Sequence, residues 1–273
     1  MIGYQGEPYS NSYEAASLMF PDRQSVGYHS FAEAFAAIAD GSVELLVMPI
    51  ENSTTGSILP VLDRLVGGGL TIVGEHLLEI HYALLGLPGA DASQITTVHS
   101  HPEALRQAEG ALVAGGFVAM PEHDTAGAVR LVSELGDPGH AALAPTKAAA
   151  AYGLEVLAEG VVDRQHNTTR FVVLAVGESP FASDANKTSV AFTGAHRPGA
   201  LALALTELGL RGANLTRIES RPGDEAWQYR FFVDLLHEPG RDGYDRIFDP
   251  MPSAMESVHH LGTYPAGRST TPS

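Results

Sequence analysis

Four stretches of this 273-residue sequence gather more hydrogen-bonding side chains than a turn needs, and each stands beside an apolar or helical run. The densest is Pro49-Ile50-Glu51-Asn52-Ser53-Thr54-Thr55-Gly56-Ser57, where six of nine side chains can donate or accept. That composition suits a site that fixes a small polar molecule through many neutral contacts; a capping loop is the plainer alternative. In Asp163-Arg164-Gln165-His166-Asn167-Thr168-Thr169-Arg170, just before the apolar run Phe171 to Val176, Arg170 is a candidate carboxylate clamp. A surface ion pair is the other reading of that arginine. Thr168 and Thr169 can orient or hydrogen-bond a reacting group, but they are too weakly acidic to give up a proton unaided. His99-Ser100-His101-Pro102-Glu103 looks like a helix start, with Ser100 or His101 as cap and Pro102 at the first helical position. Gln107 follows in that helix and either faces solvent or reaches back over a crevice. Finally, Gly3-Tyr4-Gln5-Gly6 leads to Asn11-Ser12-Tyr13-Glu14, where Asn11 can cap a helix and Glu14 can return the bond. The free amides there either begin the helix and no more, or hold an anion.

Other chemistries are excluded. With no cysteine there is no thiolate nucleophile, disulfide or Cys-ligated metal. Ser53, Ser57 and Ser100 lack the Gly-x-Ser-x-Gly elbow and an assignable base, which argues against a covalent hydrolase. Gly3 and Gly6 lack the third glycine of a dinucleotide fingerprint, and Gly67-Gly68-Gly69 lacks the Lys-Ser/Thr ending of a phosphate loop. His99 and His101 have no third ligand at a ligating spacing, so a metal is not expected. Sixteen Lys and Arg against 32 Asp and Glu leave a net charge of −16, which repels a nucleic-acid backbone. No apolar run approaches the roughly 18 residues of a membrane span. The N-terminus shows no basic-then-apolar leader, so the cytoplasm is the expected compartment.

Up to about residue 176, the short runs Leu45 to Met48, Leu70 to Val73, Ile95 to Val98 and Phe117 to Met120 alternate with Ala-rich helical patterns such as Phe31 to Ile38 and Ala104 to Val113. That alternation predicts an α/β domain with a mainly parallel sheet, whose ligands bind beyond the carboxyl ends of the strands. Gly177 to Lys187 has no apolar period and marks a linker. After it, a strand at Thr188 to Phe192, a helix from Pro198 and strands at Asn214 to Ile218 and Tyr229 to Leu235 predict a small α+β sandwich. It is completed by a doubtful helix at Tyr244 to Met251, stopped by Pro250 and Pro252, and a last strand at Met255 to Leu261. The tail, Arg268 to Ser273, is expected to be disordered.

Taken together, Gly3-Tyr4-Gln5-Gly6-Glu7, Pro49-Ile50-Glu51-Asn52-Ser53, Ser100-His101-Pro102, Asp124-Thr125-Ala126-Gly127-Ala128 and Asn167-Thr168-Thr169-Arg170-Phe171, in this order, resemble the prephenate dehydratase family. Pro198-Gly199-Ala200-Leu201 and Asn214 to Pro222 resemble the two signatures of its amino-acid-binding regulatory (ACT) domain. The resemblance spans about residues 2 to 265. It implies a two-lobed, periplasmic-binding-protein-like catalytic domain over 1–178 and a ferredoxin-like ACT domain over 187–265. The implied activity is that of a carbon–oxygen lyase: decarboxylative dehydration of prephenate to phenylpyruvate for phenylalanine biosynthesis, without a cofactor. Arogenate dehydration and a non-catalytic amino-acid sensor are the alternatives.

By the same matching, Thr169 falls on the essential threonine. Glu51, Asn52, Ser53, Ser100, Gln107, Thr168 and Arg170 fall on or beside substrate positions. Gly199, Ala200, Leu201, Asn214, Glu219, Ser220, Arg221 and Pro222 fall on the site of the allosteric effector, L-phenylalanine. The resemblance further implies a homodimer or homotetramer joined through ACT domains. Pro145-Thr146-Lys147, Pro8-Tyr9-Ser10-Asn11 and the proline-interrupted Tyr244 to Pro252 segment depart from the family pattern.

Overall fold

Three parallel strands start the chain: β1 (Ile2–Gln5), β2 (Ser25–Tyr28) and β3 (Leu45–Asn52), joined through α1 (Asn11–Met19) and α2 (Phe31–Ala39). The structure is a computed structural model that describes all residues except 68, 164–166, 179, 224–226, 268 and 271–273. Arg164, Gln165 and His166 of the fourth polar segment, and Gly68 of the triple glycine, therefore lie outside the described residues. A short β4 (Gly56–Ser57) folds back on β3, and α3 (Leu59–Leu65) leads to β5 (Leu70–Glu79).

The chain then leaves to build a second lobe from β6 (Tyr82–Gly86), β7 (Thr97–Ser100), β8 (Val118–Pro121), β9 (His140–Pro145) and β10 (Glu155–Glu159), in the order β10–β6–β9–β7–β8. Its helices are α4 (Pro102–Gln107), α5 (Glu109–Gly115), α6 (Thr125–Leu135) and α7 (Lys147–Ala151). The chain returns as β11 (Thr168–Val176), inserted antiparallel between β3 and β5. The two crossings, β5 to β6 and β10 to β11, leave a cleft between the lobes. The mainly parallel sheet expected for this half is thus two mixed sheets, because β11 comes back antiparallel and β6 runs against both of its neighbours.

After the linker come β12 (Lys187–Gly194), α8 (Ala200–Leu210), β13 (Asn214–Pro222), β14 (Tyr229–Leu236), α9 (Arg241–Phe248) and β15 (Met255–Tyr264). They form the expected α+β layer, an antiparallel sheet in the order β13–β14–β12–β15. The doubtful second helix is present, starting three residues earlier than expected and ending before Pro250, so the prolines bound it rather than break it. The sheet buries both faces. Val190, Phe192, Val233 and Leu235 pack under Ala204 and Leu208 of α8 and Ile247 and Phe248 of α9. The opposite face gives Ala191, Phe232, Leu261 and Tyr264 to a core shared with Leu46, Met48, Ile72 and Val172 of the first lobe. Of the tail expected to be disordered, Ser269–Thr270 adds a two-residue strand, β16, alongside β5.

Candidate active site

Strand alternation decides which side chains reach the cleft. In the antiparallel register of β3 and β11, Thr169 lies opposite Asn52 and Arg170 opposite Glu51. Successive side chains on a strand point to opposite faces, so Thr169 and Asn52 enter the cleft while Arg170 and Glu51 point to the C-terminal sheet. The cleft cavity has a volume of about 350 Å3 and is lined by Gln5, Gly6, Ser10, Asn11 and Ser12 at the start of α1, by Asn52, Thr55, Tyr82, Thr169 and Phe171, and by His101, Glu103, Gln107, Asp124 and Thr125 of the second lobe.

A chain of amide and hydroxyl hydrogen bonds spans this space. Asn52 Oδ1 accepts from the backbone N–H of Thr54 (2.9 Å) and from Thr54 Oγ1 (2.6 Å). A backbone N–H is always a donor, so the amide orientation of Asn52 is fixed and its Nδ2 faces the other way. Nδ2 donates to Thr169 Oγ1 at 2.9 Å and to Asn167 Oδ1 at 2.7 Å. Asn167 Nδ2 donates to Gln107 Oε1 (2.7 Å), and Gln107 Nε2 donates back to Thr54 Oγ1 (2.8 Å), closing a ring of bonds across the two lobes. Thr169 Oγ1 accepts within this ring, so its own O–H is left to donate to a bound molecule. The arrangement presents a positioned neutral donor and no nucleophile–base pair.

The electrostatics are those of a shielded pocket. Among the described residues lining it there is no Lys or Arg. The positive end of α1, capped by the Ser10 hydroxyl on the Tyr13 amide, borders the cavity instead. Ser10 takes the capping role expected of Asn11, whose Nδ2 donates to Tyr82 Oη (3.2 Å). Burial pushes the Tyr82 phenol up to about 12. Burial also holds the His101 imidazole below its usual range, outweighing Glu103 and Asp124, so His101 is neutral near pH 7. Its Nδ1 accepts from the Glu103 amide at 3.2 Å, which makes His101 rather than Ser100 the cap of α4.

Of the residues expected to meet substrate, Thr169, Asn52 and Gln107 are brought together and the others are not. Arg170 does not fit the clamp role: its guanidinium is buried against Glu75 (2.6 Å), Asp234 (2.5 Å) and Tyr264 Oη (2.8 Å), away from the cleft. Glu51 shares that face. The Ser100 hydroxyl is fully buried and committed to the carbonyl of Leu143 (2.5 Å). Ser53 and Thr168 bond each other's strands, Ser53 Oγ accepting from the Thr168 amide at 2.9 Å, and neither lines the cavity. Tyr82 and Phe171 line the cleft and Asn167 completes the ring of hydrogen bonds, and none of the three was expected as a site residue, while Asn11 was expected only as a helix cap. Phe171 was recoverable, since it lies two residues beyond Thr169 on the same face of the strand.

Of the expected effector residues, Ala200 and Leu201 line a separate cavity of about 150 Å3 with Phe192, Tyr229 and Phe231. Gly199 is the left-handed N-cap of α8. Asn214 and Glu219 to Pro222 lie apart from that cavity on β13, with Glu219 and Arg221 turned toward the first lobe.

A two-lobed α/β protein with a cleft of neutral donors is an enzyme-like or binding fold, and comparison with known proteins narrows it. Residues 2–179 match the family model of prephenate dehydratase. The chain is 34% identical to the bifunctional N-acyl-homoserine lactone acylase/prephenate dehydratase of Komagataeibacter europaeus, over 97% of this chain and 96% of that protein. It is 40% identical to arogenate dehydratase/prephenate dehydratase 1 of Arabidopsis thaliana, over 81% of this chain and 57% of that protein. The structure superposes on prephenate dehydratase from Arthrobacter aurescens, solved with L-Phe, with a TM-score of 0.87 at 26% identity, covering 97% of this chain and 89% of that one. The chain belongs to the prephenate dehydratase family.

Proposed function

We propose that the chain eliminates water and carbon dioxide together from prephenate, giving phenylpyruvate. Loss of the ring carboxylate as CO2 and of the C4 hydroxyl restores ring aromaticity, so the protein's task is to orient the ring and to assist the departing hydroxide. The observation that carries this reading is the Asn52 Nδ2–H to Thr169 Oγ1 bond, which turns the threonine O–H outward as a donor. Asn52, Asn167 and Gln107 hold that donor in place, and the positive end of α1 faces a substrate carboxylate. The cleft also holds two carboxylates, Asp124 and Glu103, of which Glu103 is ion-paired with Arg106 and Asp124 has no Lys or Arg partner among the described residues, and they favour a second substrate. Arogenate, with an ammonium where prephenate has a keto group, meets them on better terms. Parallel assays with purified protein decide between the two: prephenate loss is followed as phenylpyruvate absorbance in alkali and arogenate loss as phenylalanine. Turnover of neither substrate overturns the dehydratase reading.

The C-terminal layer has the strand and helix order of an ACT domain, and residues 1–178 and 187–265 are the catalytic and regulatory units of this reading. The effector is L-phenylalanine, the molecule present in the Arthrobacter complex, held near Gly199, Ala200 and Leu201. β13 is an unpaired edge of its sheet, and Leu203, Leu210, Ile218 and Tyr229 are exposed on this domain. A second copy pairing there covers them and carries its own Asn214 and Ser220 to the effector. A monomer in solution that binds no phenylalanine overturns this part.

A further inference from the structure

The described residues hold a cluster of six charges, five of them buried and Glu51 about a third exposed at its rim, that the dehydration chemistry does not use. Arg170, Lys187 and Arg217 balance Glu51, Glu75 and Asp234 between the first lobe and the C-terminal sheet. Arg170, Lys187, Arg217 and Asp234 are each less than a tenth exposed. Burying such a set is costly unless it is fully paired, and this one is paired unevenly. Arg170 is tightly held, by Glu75 at 2.6 Å and Asp234 at 2.5 Å. Glu51 is loosely held, 3.5 Å from Arg170 Nη1 and 3.8 Å from Arg217 Nε, and that Nε is buried with no hydrogen-bond partner among the described residues.

The cluster sits directly behind the cleft. Glu51 precedes Asn52 on β3, Arg170 follows Thr169 on β11, and the two pairs are in register. From the other side, alternate residues of β13 reach the first lobe: Arg217 Nη2 donates to Ser57 Oγ (2.7 Å), Ser57 donates to Glu219 (2.7 Å), and Arg221 donates to Asp63 (2.6 and 3.0 Å).

Resting on the dehydratase reading, we propose that Arg170 and Glu51 are positioning residues. They clamp the backbones of Thr169 and Asn52 to β13 through Asp234 and Arg217, so that a shift of β13 closing the Arg217–Glu51 gap moves the Thr169–Asn52 pair. β13 is the rod and the six charges are its joint. An effector bound to the C-terminal domain reaches the cleft by this joint.

The test uses the full-length chain. Arg217→Gln removes the charge that β13 gives to the joint, Arg217→Lys keeps that charge, and Asp63→Asn breaks only the outer, half-exposed rung. Arg217→Gln is expected to lower kcat roughly 10- to 100-fold with KM within about twofold, because a misplaced donor slows chemistry without weakening binding. Arg217→Lys is expected to recover part of that loss. Asp63→Asn is expected to keep basal turnover and phenylalanine binding by calorimetry, while the effect of phenylalanine on turnover shrinks at least about fivefold. A folded Arg217→Gln with parent kcat, or an Asp63→Asn with an unchanged phenylalanine response, overturns the proposal. Should Arg217→Gln fail to fold, Asp63→Asn decides alone. Failure of the parent chain to turn over prephenate or arogenate defeats the dehydratase reading and is seen before any variant is made.

Discussion

In the proposed reaction the Thr169 hydroxyl assists the leaving group only because Asn52 offers it an N–H rather than a C=O. Exchanging that amide for a carboxylate reverses the polarity: in Asn52→Asp the Thr169 O–H turns to the new acceptor and away from substrate. Turnover of this variant is expected to fall roughly 100-fold with little change in KM, about the loss of one oriented donor. Parent-like kcat in steady-state assays contradicts the assignment. The sequence marks both as hydrogen-bonding residues in polar runs and the family resemblance singles them out, while the fold brings them opposite each other on β3 and β11. Arg170 was misread. Its fork suits a carboxylate, but strand alternation points it away from Thr169's side, and its partners Glu75 and Asp234 lie 95 and 64 residues distant, where no local pattern reveals them. Ser100 was displaced for a similar reason, its hydroxyl being taken by the carbonyl of Leu143, 43 residues on.

Elements were easier to anticipate than the way they cross. The strand within β3, the α2 pattern and all four strands of the C-terminal sheet follow from apolar periodicity. The antiparallel return of β11 does not, because it depends on a second lobe being inserted between β5 and β11. Packing of β5 against β15 needs Gly262, at φ +155°, where a Cβ would lie 2.1 Å from the carbonyl oxygen of Ile72 in β5. Gly262→Ala is expected to destabilise the chain by about 1–3 kcal/mol, read as a lowered Tm, and an unchanged Tm contradicts this close approach. The joint between these sheets also titrates. Burial opposes the charge of Asp234, but Arg170 and then Arg217 outweigh it and hold the carboxyl below the usual range. A carboxyl with a depressed folded pKa adds stability that is present above its unfolded pKa, about 3.9, and is lost as the pH falls below it. Thermal stability should therefore decline below about pH 4, and Asp234→Asn should flatten that limb while lowering Tm at neutral pH. An unaltered acid limb in the variant contradicts the pairing.

Across the whole molecule, the linker at Gly177 to Lys187 suggested two independent units, yet Ala191, Phe232, Leu261 and Tyr264 belong to the same core as Leu46 and Ile72. Calorimetry of the full chain is expected to show the first lobe and the C-terminal sheet melting together, and residues 1–178 alone should melt lower and expose apolar surface. A separate, reversible transition for each contradicts the shared core. The proposed coupling between the C-terminal sheet and Thr169 depends on the same continuity. The proposed chemistry turns on the hydroxyl of Thr169, and turnover of prephenate by Thr169→Ala beside the parent is the experiment that checks it. Loss of about 2.7–4 kcal/mol of barrier stabilisation, a kcat reduced roughly 100- to 1,000-fold in a variant that still folds and binds substrate, is the predicted result. Near-parent turnover by Thr169→Ala would contradict it.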